Sequence, residues 1–355
     1  MPPEALGPFM SRVQTVARAA KIGMKADGLT LHQFNEPAGG QTVFHLHFHV
    51  LPRVMGVPLR PHSGPVEKPE VLQAYAANQG DGWDYTVSYL ARFIEDRRTG
   101  TALRADAHGL YLALVKTLAT RTAELHCALS SPTSDPAFAP EPITANDIAT
   151  WRLQVRADAE SALERLASRA SHLPSSVTTD AQRVLALRAR LLGWIESAVT
   201  AAPRAIKARR HGNYDLGQVL LQHNDFIIVD FEGEPGRTLA ERRAKHSPLT
   251  DVAGMLRSFG YARQAALQQC ALESAHECDK WAPLLEQWEQ QARQVFLAAY
   301  DEIARAGGLY ESLQDVQPLL QLFEVEKALY DVRHELDYRP DWAGIPLRAL
   351  NAFAG

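Results

Sequence analysis

The sequence has few cysteines and no excess of basic residues, and each of these absences excludes a class of protein. Cys127, Cys270 and Cys278 are too few and too scattered for a disulfide framework. Cys270 and Cys278 fall on a predicted helix, where packing is the expected role and metal binding the alternative. The formal charge of −4 over 355 residues provides no electrostatic footprint for nucleic acid.

Signals for membranes and secretion are also lacking. No apolar run reaches the roughly 18 residues that a transmembrane helix needs. The chain opens with Met1-Pro-Pro-Glu4, which does not resemble a signal peptide. With 46% apolar and 22% charged residues, the chain is expected to be a globular, cytoplasmic protein with no membrane partner. Its length suits two or three domains.

A polar loop, a short hairpin and a second polar loop form the centre of the chain. The loop His211-Gly-Asn-Tyr-Asp-Leu-Gly-Gln218 precedes an apolar run, a turn at Asn224-Asp225 and a second run, Phe226–Val229. Such a hairpin brings Gln218 beside Asp230. Amide and carboxylate oxygens are ligands that suit Mg²⁺. The layout is similar to the kinase pattern, in which an Asp receives the substrate hydroxyl proton and two metal ligands follow.

Around this centre the sequence resembles the maltokinase family of aminoglycoside phosphotransferase-like kinases, which are often fused to trehalose synthase. The resemblance covers about 75–355. It implies a mostly helical, protein-kinase-like C-terminal lobe that phosphorylates maltose to maltose 1-phosphate with ATP, with Mg²⁺ held by Gln218 and Asp230. Besides the loop, the motifs are Asn78-Gln-Gly-Asp-Gly-Trp83, Asp230-Phe-Glu-Gly-Glu-Pro235, Glu326-Lys-Ala-Leu-Tyr330 and Arg339-Pro-Asp-Trp342.

The resemblance also implies roles for single residues, with one departure from the family pattern. His211 would brace the loop backbone. Asn213 stands where the family has its catalytic Asp, and loss of a general base typically costs about 10²–10⁴ in rate. Either Asp215, two residues further on, replaces that base, or the site is inactive. Three side chains of a later helix are candidate sugar contacts, against the alternative of ordinary core or surface positions: Glu326, Tyr330 and Arg333.

The first 70 residues have a different pattern. Apolar spacing predicts an amphipathic helix over 4–26, and two strands, 29–34 and 41–52, form an antiparallel pair. Alternation places the imidazoles of His45-Leu-His-Phe-His49 on one strand face. Three interpretations are open: a zinc site, an incidental cluster, or nucleophilic histidine chemistry.

The third interpretation is favoured because Asn35–Arg53 resembles the histidine-triad (HIT) signature. The resemblance covers about 1–70, the C-terminal half of that family's fold. It implies that His47 attacks the α-phosphate of a nucleotide to give a nucleotidyl-histidine intermediate, without a metal. His45 would orient the ring of His47. The remaining implied phosphate or ribose contacts are His49, Gln41, Thr42 and Asn35.

The chain therefore reads as two family fragments of an α+β protein. Residues 1–74 form a partial HIT-like domain, with a Pro- and Gly-rich seam over 54–71, and residues 75–355 form the kinase-like lobe. The sequence contains no Gly-rich phosphate loop, and each fragment is expected to lack its family's N-terminal half. The strand pair would then need a cover, such as a homodimer partner.

Three hypotheses for function follow from the two resemblances. The chain is a maltokinase-type phosphotransferase, a HIT-type nucleotide hydrolase or transferase, or a non-catalytic remnant.

Further helices are predicted along the chain. Thr144 is a predicted helix cap, with Asp147 three residues later. Helical periodicity predicts helices over 82–94, 105–129, 144–166, 177–199, 248–266, 281–306 and 316–336.

Overall fold

The chain consists of two compact units, Met1–Glu70 and Val71–Gly355. In the computed structural model, the residues described are 26–32, 49–53, 78–99, 107–231, 233–234, 237–273 and 278–354, together with positions 10, 13, 14, 17, 18 and 21. Among these residues, no helix combines the length and apolar character needed to cross a membrane.

The first unit contains an antiparallel strand pair. β1 spans Gly28–His32 and β2 spans His49–Arg53, with Gly28 opposite Arg53 and His32 opposite His49. The predicted pairing is thus confirmed for these residues. The described positions between 10 and 21 are helical, as the predicted helix over 4–26 requires. Val13 and Ala17, one helical turn apart, are both buried.

The second unit is mostly helical, and its long helices match the predicted ones to within a few residues at most ends. The helices are α1 (Gly82–Arg98), α2 (Gly109–Leu129), α3 (Ala145–Arg169), α4 (Ser175–Ala186), α5 (Arg188–Ser197), α6 (Leu239–Arg243), α7 (Leu249–Glu273), α8 (Cys278–Ala306), α9 (Leu313–Tyr338) and α10 (Gly344–Ala354). Two antiparallel strand pairs join them, β3 (Glu141–Pro142) with β4 (Ile206–Lys207) and β5 (Val219–Gln222) with β6 (Asp225–Ile228).

One predicted helix is two helices in the structure. The apolar spacing over 177–199 continues across Leu187, but the backbone leaves the helical region there, with φ −90° and ψ 7°. The two halves pack on different partners, because α4 lies mainly against α10 and α5 lies mainly against α3. Tertiary packing therefore sets a break that local periodicity does not contain.

The core is built around the first half of α7, in which every residue over 251–260 is buried. Phe259 on α7 meets Trp288 and Phe296 of α8 edge-on, with ring centroids 6.2 Å apart in both pairs. All three side chains are fully buried. Packed aromatic rings of this kind fix the position of α7, and the first turns of that helix lie beneath the loop over 211–218.

The predicted cap of α3 is a complete capping box. Thr144 Oγ1 accepts a hydrogen bond from the Asp147 backbone N–H, and the Asp147 carboxylate accepts one from the Thr144 backbone N–H. We expect Thr144→Ala to lower the free energy of unfolding by about 1 kcal/mol, because the Asp147 backbone N–H loses its acceptor and the Asp147 carboxylate loses the hydrogen bond from the Thr144 hydroxyl. Thr150→Ala, an exposed threonine in the same helix, is the matched control. A urea titration that shows equal effects for both variants would contradict this assignment.

Candidate functional site

The loop over 211–218 is held from below by a buried carboxylate. Asp251, in the first turn of α7, accepts hydrogen bonds of 2.8 Å from the backbone N–H groups of His211 and Gly212. His126 on α2 contacts the same carboxylate, with Nε2 3.2 Å from Oδ2. Burial alone would raise the pKa of Asp251, but the hydrogen bond from His126 and the nearby positive charge lower it below its ordinary value. The carboxylate is therefore the fixed anchor of the loop.

His211 connects this loop to the far end of the hairpin. Its ring is buried, and Nε2 lies 2.7 Å from the carbonyl oxygen of Val229, immediately before Asp230. The ring also packs against Phe231, with centroids 4.9 Å apart. The two polar loops approach closely, since a Cβ on Gly212 would lie 3.3 Å from the Cα of Gly233. His211 thus braces the backbone on both sides of the hairpin.

The hairpin places Gln218 opposite Val229, the residue immediately before Asp230. His223 and Asn224, with φ of 50° and 63°, form its turn, one residue earlier than the predicted turn. A two-residue turn with both φ values positive matches the twist of paired strands. The Val229 N–H donates to the Gln218 carbonyl oxygen at 3.0 Å, so the residues that flank the two strands meet at the open end.

The side chains of Gln218 and Asp230 carry oxygen atoms of the kind that bind Mg²⁺. Asp230 is exposed and its backbone is left-handed, with φ of 64°, so the carboxylate stands outside the strand ladder. An amide oxygen and a carboxylate leave the remaining positions of a Mg²⁺ ion for water and phosphate. Among the described side chains, no group of three or more His, Cys, Asp or Glu converges as a metal site. Cys270 is buried in α7, which agrees with the packing role predicted for it.

A polar pocket lies between the loop and α9. Asn213 lines it together with Glu326 and Tyr330, two of the three predicted sugar contacts. Arg333 does not line this pocket, because its guanidinium is bonded to the Asp158 carboxylate at 2.6 Å. The structure therefore gathers the residue at the base position and two candidate sugar contacts, and it places Arg333 elsewhere.

Asp215, the candidate substitute for the missing base, caps a turn of the loop in the structure. Its Oδ1 accepts the Gly217 N–H at 2.8 Å and caps the single 3₁₀ turn Leu216–Gln218. Burial raises the pKa of this carboxyl, and the Gly217 hydrogen bond opposes that shift. Asn213 lines the pocket, as Gly212 and Tyr214 do, and Asp215 does not.

The pocket wall is a chain of ion pairs that the sequence patterns did not reveal. Arg237 bonds Glu234 at 2.5 Å and Glu326 at 3.2 Å. Lys327 lies 3.8 Å from Glu234 and 3.6 Å from Asp331. Burial would lower the pKa of Lys327, but these two carboxylates raise it on balance, so the ammonium group stays charged. Burial raises the pKa of Glu326.

These residues could be found from the sequence only in part. Glu234 and Lys327 belong to motifs that carry the kinase resemblance, but nothing in their spacing shows that they meet. Asp251 has no sequence pattern that marks it as an anchor of the loop. Each of these contacts joins segments far apart in the chain, and such contacts are set by the fold.

The predicted HIT residues lie outside the described part of the structure. Asn35, Gln41, Thr42, His45 and His47 are not described, and of His49 only the backbone is, as the first residue of β2. Their implied roles stay predictions.

The second unit has a kinase-like fold in which a helical lobe carries a hairpin with flanking polar loops. A glucosamine kinase structure, crystal form B, superposes with a TM-score of 0.61 at 21% identity, over 86% of this chain and 60% of that chain. A glucosamine kinase in complex with glucosamine, ADP and inorganic phosphate gives a TM-score of 0.59, also at 21% identity, over the same shares of both chains. At this level of identity the likeness shows a shared fold.

Sequence relatives agree with this fold. A glucosamine kinase of Streptacidiphilus jiangxiensis is 28% identical over 278 residues, which are 77% of this chain and 55% of that protein. A glucosamine kinase of Mycolicibacterium smegmatis is 28% identical over 291 residues, 81% of this chain and 64% of that protein. The chain thus spans between 55% and 64% of the length of these two relatives.

The N-terminal residues match a second family. Residues 1–55 match the HIT domain family. An uncharacterized HIT-like protein of Mycobacterium tuberculosis is 45% identical over 51 residues, 14% of this chain and 35% of that protein. Both predicted resemblances, to an aminoglycoside phosphotransferase-like kinase and to the HIT family, are therefore confirmed. These kinase relatives are named glucosamine kinases, whereas the motif resemblance implies maltose as the substrate.

Proposed function

We propose that the second unit is a sugar phosphotransferase module that uses Mg-ATP. The observation that carries this proposal is the meeting of Asn213, Glu326 and Tyr330 in one pocket. The loop that holds Asn213 leads into a hairpin in which Gln218 lies opposite Val229, the residue before Asp230. The sugar hydroxyl oxygen would attack the γ-phosphorus of ATP, with ADP as the leaving group and the hydroxyl proton passing to a base. Mg²⁺ held by Gln218 and Asp230 would neutralise charge on the phosphates.

The sugar is the open part of this proposal. The names of the relatives favour glucosamine, and the motif resemblance favours maltose. The pocket lining pairs three acidic groups (Glu234, Asp251 and Glu326) with three basic groups (Arg210, Arg237 and Lys327). This balance gives no preference for an ammonium group on the sugar, so both sugars belong in the assay.

The chemical step is limited by Asn213. An amide does not accept the hydroxyl proton, so slow transfer is expected from the chain as it stands. We expect Asn213→Asp to raise the turnover of ADP release by about 10²–10⁴, the usual contribution of a general base. The assay is coupled ADP release with Mg-ATP and glucosamine, glucose or maltose.

The control for this substitution is Asn146→Asp, which adds the same charge at an exposed position near the start of α3. A gain in both variants would point to a general charge effect. If the variant binds both the sugar and Mg-ATP and Asn213→Asp still brings no gain in turnover, residue 213 is not at the base position. Absence of sugar binding would overturn the proposed function itself.

The HIT match supports a second proposal for the first unit. We infer that His47 acts as a nucleophile on the α-phosphate of a nucleotide, with His45 and His49 as its neighbours in the triad. His47→Ala is expected to abolish hydrolysis of adenosine 5′-phosphoramidate, while the exposed His172→Ala leaves it unchanged. Hydrolysis that survives His47→Ala would exclude triad chemistry as its source.

A further inference from the structure

Three aromatic rings follow one ridge of α9 out of the sugar pocket. Tyr330 lines the pocket, and His334 and Tyr338 follow at four-residue steps, which places all three along the same ridge of the helix. The rings of Tyr330 and His334 have centroids 6.3 Å apart with planes 19° from parallel. His334 and Tyr338 follow at 4.9 Å and 41°. The rings therefore form a continuous row that starts at the pocket.

This row is not part of the core. An aromatic stripe at helical spacing usually packs inward, but the side chain of His334 is 40% exposed and Tyr338 is 74% exposed. The buried residues around the end of this row, Val332 and Leu336, lie on another side of the helix. Exposure therefore rises along the row from the pocket to the end of α9. Exposed aromatic surface beside a binding pocket is typical of an extended ligand site.

The charges beside the row are already neutralised. The ionised side chains of α9 between positions 330 and 338 each have an opposite charge within 3.0 Å. Arg333 bonds Asp158 at 2.6 Å, and Glu335 bonds Arg339 at 2.7 Å. Asp337 bonds Arg165 at 2.6 Å, and Asp331 bonds Arg257 at 2.9 Å. Among the described residues, this part of α9 offers flat rings beside charges that already have partners, which suits a neutral ligand better than a nucleotide or an acidic peptide.

We propose that His334 and Tyr338 are stacking subsites for the second and third sugar rings of a neutral linear oligosaccharide. Its terminal ring enters the pocket beside Tyr330. This inference rests on the proposed sugar phosphotransferase function. Four helical residues rise about 6 Å, which is close to the repeat of one hexose in a linear glycan. The row therefore presents about one ring for each sugar.

The test is calorimetric titration of the full chain with saccharides of one, two and three rings: glucose, maltose and maltotriose. We expect affinity to rise with each added ring. Tyr338→Ala is expected to weaken maltotriose binding about three- to tenfold, the size typical of one stacked aromatic contact, and to leave glucose binding unchanged. Tyr338→Phe keeps the ring and should bind as the parent does. Phe138→Ala removes an aromatic residue that is 51% exposed elsewhere on the surface and should change neither affinity.

The outcomes separate this inference from the function on which it rests. If glucose and maltotriose bind equally well, or if Tyr338→Ala binds maltotriose as the parent does, the stacking subsites are wrong and the sugar pocket stands. If maltotriose binding falls in Tyr338→Ala and returns in Tyr338→Phe, the subsites are established. If no saccharide binds at any length, the proposed function and the subsites fall together.

Discussion

Replacement of Asp251 with alanine is expected to lower the free energy of unfolding of the second unit by about 3–5 kcal/mol, the cost of breaking a buried charged contact. The change leaves the N–H groups of His211 and Gly212 without their acceptor, and the His126 ring without its carboxylate. Each buried donor left unpaired adds about 1–3 kcal/mol before the structure relaxes. The loop that carries Asn213 would also lose its fixed position.

Urea unfolding followed by tryptophan fluorescence measures this effect on the second unit alone. All six tryptophans lie between residues 83 and 342, so the first unit does not contribute to the signal. Asp96→Asn, at an exposed position of α1, is the control and should stay within about 0.5 kcal/mol of the parent. An Asp251→Ala variant as stable as this control would show that the loop does not depend on the carboxylate.

The same residue has a pH signature. The pKa of Asp251 lies below its ordinary value, so the folded chain holds the carboxylate more strongly than the unfolded chain does. Its contribution to stability is therefore complete above the unfolded value of about 3.9 and is lost as the pH falls through the lower folded value. The stability difference between the parent and Asp251→Asn should shrink as the pH is lowered below 4. A constant difference would point to packing instead.

The second large effect is expected from Gly254→Ala. Gly254 faces the loop from α7, and a Cβ at this position would lie 2.5 Å from the carbonyl oxygen of Tyr214. That oxygen belongs to the backbone of the loop, so it cannot move aside as a flexible side chain would. We expect a loss of about 1–3 kcal/mol from overpacking, and weaker sugar binding because Asn213 is displaced from the pocket.

Gly193→Ala is the matched control for this substitution. Gly193 is exposed within α5, and a Cβ there would meet no atom within 4 Å. Alanine favours a helix over glycine by about 1 kcal/mol, so this variant should be as stable as the parent or more stable. Thermal unfolding and a saccharide titration of both variants separate the two cases. Equal stability in both would show that α7 and the loop can move apart.

The fold was largely predictable because its elements are encoded locally. The helices carry apolar residues at three- and four-residue steps, the hairpin has a turn between two apolar runs, and Thr144 with Asp147 forms the cap that the spacing indicates. Hairpin geometry alone brings Gln218 opposite Val229, the residue before Asp230. The break at Leu187 was not predictable, because the helices on either side pack on different partners.

The candidate site was predictable only where a motif holds its residues together. Asn213, Glu326 and Tyr330 line one pocket because the fold brings the loop to α9. Arg333 has the same helical neighbourhood, but Asp158, 175 positions away in the chain, bonds it outside the pocket. The anchoring role of Asp251 likewise depends on α2, α7 and the loop meeting in space. Contacts over such distances in sequence leave no periodic pattern.

The first described residues of the second unit, from Asn78 on, pair with strand β5 of the hairpin. The Gln79 N–H donates to the Leu221 carbonyl oxygen at 2.8 Å, and the Leu221 N–H donates to Gly80 at 3.0 Å, so the entering chain covers the outer edge of β5. A junction upstream of residue 78 keeps these hydrogen bonds whatever module precedes it. A cut after Asp81 would uncover the strand. A shortened chain that keeps the edge of β5 covered must therefore retain Gln79 and Gly80.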